Sequence, residues 1–255
     1  MPDILEINHV CKRFSQNGSI VEALRDINLN VEEGNFVSII GVSGCGKSTL
    51  LRIIGGLETD YEGSVTFDGM PVTAPSRKKG FVFQDHRLLP WLTIEDNIRF
   101  SLPEEQEDRE SIIRESIRMV GLEGFESAYP KQISGGMSQR VSIARALSND
   151  PKILLLDEPF GSLDAITKIN LQDELLNIWK RESITMILVT HDIDEAIYLG
   201  NSVVVMTPRP GTIKRVENID LGEPKKRTGP IFSRYREIIY REFFTEANSP
   251  FIYNL

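Results

Sequence analysis

The run Gly41-Val42-Ser43-Gly44-Cys45-Gly46-Lys47-Ser48 constrains what this chain can fold into more than any other feature. It fits G-x-x-x-x-G-K-[ST], and its flanks supply the context that the pattern requires. Residues 35–40 are a short apolar, β-branched run that reads as a strand, and residues 48–57 have helical character. Strand, glycine-rich turn and helix in that order build a phosphate cradle. The glycines let successive backbone N–H groups curl around an anion, and the helix start adds unpaired donors and a positive dipole end. Lys47 is expected to reach the β- and γ-phosphates of ATP and the Ser48 hydroxyl to ligate Mg²⁺, with Thr49 completing the set of loop contacts. Cys45 reads as a small residue tolerated in the loop, since nothing beside it in sequence supplies a base for redox or catalytic work.

Two more strand ends point to the same place. Ile153-Leu154-Leu155-Leu156-Asp157-Glu158 is an apolar strand that ends in two acids. Ligands of an open α/β sheet bind outside the carboxyl ends of its strands, so both side chains are expected at the phosphates. Asp157 would hold Mg²⁺ through its water shell, and Glu158 would polarise the attacking water as general base. Residues 185–189 form another apolar strand with His191 just past its end. A histidine on its own is more often structural; at a strand's ligand end it can bond the γ-phosphate and hold water and Glu158 in register.

The rest of the chain is consistent with one doubly wound core interrupted once. Residues 5–10 and 23–31 alternate apolar and polar positions, as strands with one wet face do, and are expected to pair antiparallel near an edge. Residues 63–67 with Asp68-Gly69 read as a strand and turn. From about residue 93 to 147 the pattern turns helical, with an acidic surface connection at 102–110, and residues 168–181 read as a crossover helix. The expected fold is therefore α/β: a P-loop, RecA-like core (1–84 and 151–222) with an antiparallel β edge, an inserted helical subdomain (85–150), and a tail (223–255) with a helix at 232–243. In the tail, Lys225-Lys226-Arg227 reads as a solvated linker.

Composition narrows the function classes. Of the 255 residues 40% are hydrophobic and 26% charged, as in an ordinary globular protein, and the net charge of −8 argues against a broadly basic nucleic-acid face. Cys11 and Cys45 make no metal-ligand spacing and no disulfide framework, which favours a reducing cytosol. Residues 1–13 lack the apolar core of a signal peptide, and no apolar run approaches the ~18 residues of a membrane span. Any membrane role is expected to need a partner chain.

Ile133-Ser134-Gly135-Gly136-Met137-Ser138-Gln139-Arg140 resembles the signature motif of the ATP-binding-cassette family, L-S-G-G-x-x-Q-R, with Ile133 a mild departure. On physical grounds Ser134 can cap a following helix, and Gly135 and Gly136 allow close backbone approach to an anion. The resemblance implies that Ser134, Gly135, Gly136 and Gln139 face the γ-phosphate bound by a second copy of the chain, in a head-to-tail dimer that traps ATP. It also implies that Phe14 stacks on adenine, although a core position would explain that residue equally, and that Gln84 senses Mg²⁺ and contacts a permease. Ser162-Leu163-Asp164 resembles the segment that crosses the dimer interface.

A finer resemblance lies in Leu88-Leu89-Pro90-Trp91, which is similar to a segment of importer ATPases for nitrate, sulfonate, taurine and related substrates; the Arg209-Pro210-Gly211 turn adds to it. With Gln84 these residues are expected to form the permease-coupling surface, local packing of the helical subdomain being the other reading. The resemblance implies a peripheral ATPase on the cytoplasmic side of the membrane. It would power import of a small, anionic substrate delivered by an extracytoplasmic binding protein. Its rivals are an exporter ATPase, and a family member acting on DNA or ribosomes; the latter usually carries two cassettes or a long coiled-coil insertion, and this chain has neither.

Overall fold

In a computed structural model, which describes residues 2–16 and 19–244, the apolar runs that end in the phosphate loop and the acid pair lie two strands apart in one sheet. The chain opens with the long strands β1 (Asp3–Gln16) and β2 (Ser19–Glu32), then runs through β3 (Phe36–Ile40) into α1 (Lys47–Gly55). A hairpin, β4 (Glu62–Phe67) and β5 (Met70–Pro71), and the strand β6 (Lys79–Val82) precede the helices α2 (Ile94–Arg99), α3 (Arg109–Met119) and α4 (Gly135–Leu147). The alternating pattern then resumes with β7 (Ile153–Asp157), α5 (Ala165–Glu182), β8 (Thr185–Thr190), α6 (Ile193–Leu199) and β9 (Ser202–Met206). It closes with β10 (Ile213–Asn218) and α7 (Pro230–Phe243).

The core sheet has the order β10-β9-β3-β8-β7-β6, parallel throughout except for the antiparallel edge β10. Its inner strands are buried on both faces, which is why they read as unbroken apolar runs. Successive side chains feed two cores. Ile153 and Leu155 join α1 and the antiparallel strands, while Leu154 and Leu156 join α4, α5 and α6. The antiparallel part is a sheet of its own, β2-β1-β4-β5, and α1 is held between it and the core sheet by Leu50, Leu51, Ile53 and Ile54, all fully buried.

The helical stretch packs on the far side, through Ile94, Ile98, Ile113, Ile117 and Val141. Leu102, at the head of the acidic connection, is itself buried and anchors that connection to this core.

The charge run before α7 corrects one expectation. Lys225 and Arg227 are fastened, not solvated. Lys225 Nζ donates to the carbonyls of Leu199 and Gly200 at 2.9 and 3.2 Å, at the C-terminal end of α6, where a cation meets the negative end of the helix dipole. The Arg227 guanidinium stacks on Tyr198, 3.5 Å from the ring centroid, and bonds Asp173 and Gln172 of α5. A charge run in sequence carries no mark of such partners. Phe232 and Ile239 are the buried face of α7, and residues 245–255 of the tail lie outside the described residues.

Candidate functional site

The phosphate loop closes β3 onto α1 and forms the floor of a cleft of about 410 Å³. Gly46 is the N-cap of α1 at φ +107°, and a Cβ there would sit 2.6 Å from Leu24 Cδ2 and 2.9 Å from the Ala23 carbonyl, so only glycine fits. Ser43, Gly44, Gly46, Lys47, Ser48 and Thr49 line the cleft. Gly41, Val42 and Cys45 do not. The carbonyls of Gly41 and Val42 accept from Lys47 Nζ at 2.9 and 3.2 Å. The Cys45 side chain is buried in the core beneath, which leaves only its backbone for an anion. Phe14 is 38% exposed at the rim of the cleft, with Lys12 Nζ 4.7 Å from its ring centroid, so it is a surface aromatic and not a core one.

The acids arrive from the neighbouring strands. Asp157, at the end of β7, accepts a 2.7 Å bond from the Ser48 hydroxyl. Burial pushes its carboxyl above the ordinary value, against the Ser48 bond and the charges of Arg52 and Lys47. Oxygen donors from Ser48 and Asp157 thus converge at one point, with Gln84 on the wall of the same cleft. That donor set suits a hard divalent ion such as Mg²⁺, which takes few protein ligands and shares the rest with phosphate and water.

Glu158 lines the cleft with its backbone at φ +46°, a conformation that costs a non-glycine residue energy and is kept where the surroundings impose it. Its N–H donates to the Val189 carbonyl at 2.9 Å, which ties the turn to β8. His191 Nδ1 donates to Glu158 Oε2 at 3.2 Å, so histidine and acid form a pair in which Glu158 lines the cleft and His191 stands behind it.

Three lining residues, Val21, Ala23 and Arg209, carry no motif in the sequence. Arg209 donates through Nε and Nη2 to the Gly44 carbonyl, at 3.1 and 3.0 Å, and reaches the cleft wall. Its turn is braced by the Gly211 N–H on Ala23 and by the Arg25 N–H on Gly211. The Arg-Pro-Gly triplet was the only signal, and spacing alone does not connect it to the loop.

The signature segment stands elsewhere. Ser134 caps α4, its Oγ accepting from Met137 N at 3.2 Å, and Gly135 and Gly136 form the first turn. None of the three lines the phosphate cleft; Ser134 and Gly136 border a separate hollow with Thr167 and Phe125. Gln139, expected among the ATP contacts, is fully buried with Oε1 and Nε2 unpaired among the described residues, so its side chain cannot touch a nucleotide here. It points inward because it sits in the second turn of α4, whose residues Val141, Ile143 and Ala144 enter the helical core. Ser162 and Asp164 are exposed, Leu163 is half-buried, and Asp164 caps α5.

In the expected coupling segment the residues divide. Leu88 is half-buried, its side chain packed against the helical core. Trp91 is 70% exposed, which excludes the packing alternative for that side chain, and Pro90 is exposed beside it. Leu89 is half-buried, and its backbone is held by the fully buried Asn97, which accepts from Leu89 N at 2.8 Å and donates to the carbonyl of Leu89 at 3.1 Å. Nearby, between β6 and α4, lies a cleft of about 180 Å³ lined by Arg77, Lys79, His86, Arg87 and Arg145 and by no acid. Burial pushes Lys79, His86 and Arg145 toward their neutral forms, and His86 Nε2 is buried without a partner among the described residues. Such a surface favours an acidic group. The charged residues run from Arg77 to Arg145, on segments far apart in sequence, so no motif announces them.

Comparison with known proteins places these features in context. The family model described as ABC transporter matches residues 24–161. The aliphatic sulfonates import ATP-binding protein SsuB of Bacillus thuringiensis subsp. konkukian is 52% identical over 94% of this chain and 95% of its own length. The bicarbonate transport ATP-binding protein CmpC of Synechococcus elongatus is 44% identical over 92% of this chain and 37% of its own. Among solved structures, the ATP-binding cassette MJ0796, as a dimer in a post-hydrolysis state bound to ADP and Pi, superposes with a TM-score of 0.74. It is 36% identical and covers 85% of this chain and 99% of its own.

Proposed function

The chain belongs to the ABC transporter family as an ATP-binding subunit, and we propose that it works as half of an ATP-clamped dimer that powers import of a small anion through a separate permease. One observation carries the dimer reading. Lys47, Ser48 and Glu158 line a single cleft, with Asp157 bonded to Ser48 and His191 to Glu158 just behind its wall, whereas the anion-binding helix start at Ser134, Gly135 and Gly136 neither lines that cleft nor, among the described residues, bonds to a residue that does. A second copy, turned head to tail, can bring that helix start to the γ-phosphate. There its dipole and serine would act as the arginine finger does in other nucleotide hydrolases.

Ser48, Asp157 and Gln84 are the residues to hold Mg²⁺, which when bound neutralises charge on the β- and γ-phosphates. The backbone of 43–48 cradles the phosphates, and Lys47 exchanges its loop carbonyls for phosphate oxygens. Glu158 takes a proton from the water whose oxygen attacks the γ-phosphorus, while the bond to the β-γ bridging oxygen breaks and ADP leaves with the electron pair. His191 holds the Glu158 carboxylate through Nδ1 and leaves Nε2 for the γ-phosphate. Phe14 supplies a face for adenine, and Ser162, Leu163 and Asp164 meet the partner copy.

Gln84, Leu88, Leu89, Pro90 and Trp91 form the coupling surface to the permease, the half-buried Leu88 and Leu89 beneath the exposed Pro90 and Trp91, and the adjoining basic cleft accepts an acidic group from it. The named cargoes of SsuB and CmpC, aliphatic sulfonates and bicarbonate, support a small anionic substrate. Its identity rests with an extracytoplasmic binding protein and the permease. Among the described residues no helix is long and apolar enough to cross a membrane; docking on the permease is what would hold the chain at the cytoplasmic face. The net charge of −8 supports a role without nucleic acid.

The test is purification from native membranes. A co-purified permease whose ATPase rate rises with a binding protein carrying a sulfonate or bicarbonate supports import. A permease without a binding-protein partner would favour export, and DNA or ribosomes would point to the non-transport members.

A further inference from the structure

The first turn of α5 is where three segments of the site meet. Its cap is Asp164, whose Oδ1 accepts from Ile166 N and Thr167 N at 3.1 Å, so the segment 162–164 is carried at the head of this helix. Thr167 backs the start of α4: a Cβ on Gly136 would stand 2.4 Å from its Cγ2, and glycine is what lets the two helix starts close up.

One residue further on, Lys168 reaches across to the loop that holds His191. Its Nζ donates to Asp192 Oδ2 at 2.8 Å and to Glu195. Both acids are locked to the neighbours of His191. The Asp192 N–H donates to Thr190 Oγ1 at 3.0 Å, and the Thr190 hydroxyl donates to Glu195. Asp192 Oδ1 also caps α6, accepting from Asp194 N and Glu195 N at 2.9 and 3.1 Å. His191 stands between Thr190 and Asp192, and so this network fixes its backbone from both sides.

The geometry points to Lys168 as a positioning residue for hydrolysis, an ammonium tether that holds the His191 loop in register with the α5 turn presenting residues 162–164 and backing Gly136. The inference rests on the ATPase reading above. In the head-to-tail dimer, His191 orients Glu158 at one nucleotide, while Gly136 serves the other; Lys168 spans the gap between them within one chain. It does not line the phosphate cleft. Nor does the packing of α5 on α6 depend on it. Tyr198 OH donates to Asp173 at 2.7 Å, and Arg227 bonds Asp173 and Gln172, which fastens the helices farther along. What the ammonium adds is the register of the end nearest the chemistry.

The experiment compares ATP affinity and steady-state hydrolysis of the full chain in four forms: wild type, Lys168→Met, Lys168→Arg, and Lys168→Met with Glu195→Gln. The double variant cuts the tether without leaving a buried carboxylate unpaired. Small displacements of a positioned catalytic group cost up to ~10²-fold, so kcat is expected to fall at least ~10-fold in both methionine variants. ATP affinity stays at the wild-type value, and Lys168→Arg restores most of the rate, because a guanidinium can span both carboxylates. A wild-type kcat in the double variant overturns the assignment. So does a loss that tracks ATP affinity and thermal stability and that arginine fails to rescue. A wild-type chain without turnover would sink the ATPase reading, and the tether with it.

Discussion

Replacing Asn97 by alanine removes the side chain on which residues 89–93 are hung. Oδ1 accepts from Leu89 N at 2.8 Å, and Nδ2 faces the carbonyls of Leu89, Leu92 and Thr93 at 3.1, 3.2 and 2.9 Å. Two N–H donors shared among three acceptors, with one acceptor bond, amount to three full hydrogen bonds. At about 1 kcal/mol each the loss is about 3 kcal/mol, before any contribution from the void left at a fully buried position. For a chain of this size that corresponds to roughly 6–12 °C in Tm. The freed turn would no longer hold the exposed Trp91 in place. Thermal unfolding is therefore measured beside the ATPase rate of the isolated subunit and of the assembled transporter, all below the variant's Tm. The expected outcome is a lower Tm, a preserved isolated rate and a lost assembled rate. Trp91→Ala, an exposed change within about 0.5 kcal/mol in stability, should lose the assembled rate alone. An unchanged Tm in Asn97→Ala would refute the accounting. Equal loss in both rates would refute the separation of coupling from chemistry.

Lys47→Ala deletes the positive charge meant for the β- and γ-phosphates, and tight ATP binding is expected to vanish in titration calorimetry; near-wild-type affinity in a folded variant would remove the phosphate-loop assignment. For Lys225, burial pushes the ammonium down to about 8, although Glu223 favours the charged form. Its folded value then lies below the unfolded value of about 10.4, the unfolded chain binds more protons between the two, and stability rises with pH across that window. In urea unfolding the advantage of wild type over Lys225→Met is expected to grow from pH 8 to about 10; a constant difference would contradict the burial argument.

What the sequence disclosed was local. The phosphate loop, the acid pair after β7 and the Ser134 cap are contiguous patterns whose spacing fixes backbone geometry, and the apolar runs report burial on both faces of a parallel sheet. Contacts between distant segments left no such mark. Arg209 meets the Gly44 carbonyl across 165 positions, and the basic cleft gathers residues from β6 and α4. Lys225 and Arg227 read as a charged linker because their partners, the end of α6, Tyr198 and Asp173, are defined only by the fold. Gln139 was carried over with its motif, yet its place on the inward face of α4 decides its role.

The central claim is that Glu158 is the base of a site completed by a second copy, and the most direct measurement is size-exclusion chromatography of Glu158→Gln with hydrolysis followed in parallel. The amide keeps the shape of the carboxylate but cannot take a proton, so turnover is expected to fall at least ~10²-fold. The account predicts that this variant elutes as a dimer with Mg-ATP and as a monomer with ADP. A variant that stays monomeric with Mg-ATP, or that turns over at the wild-type rate, would contradict it.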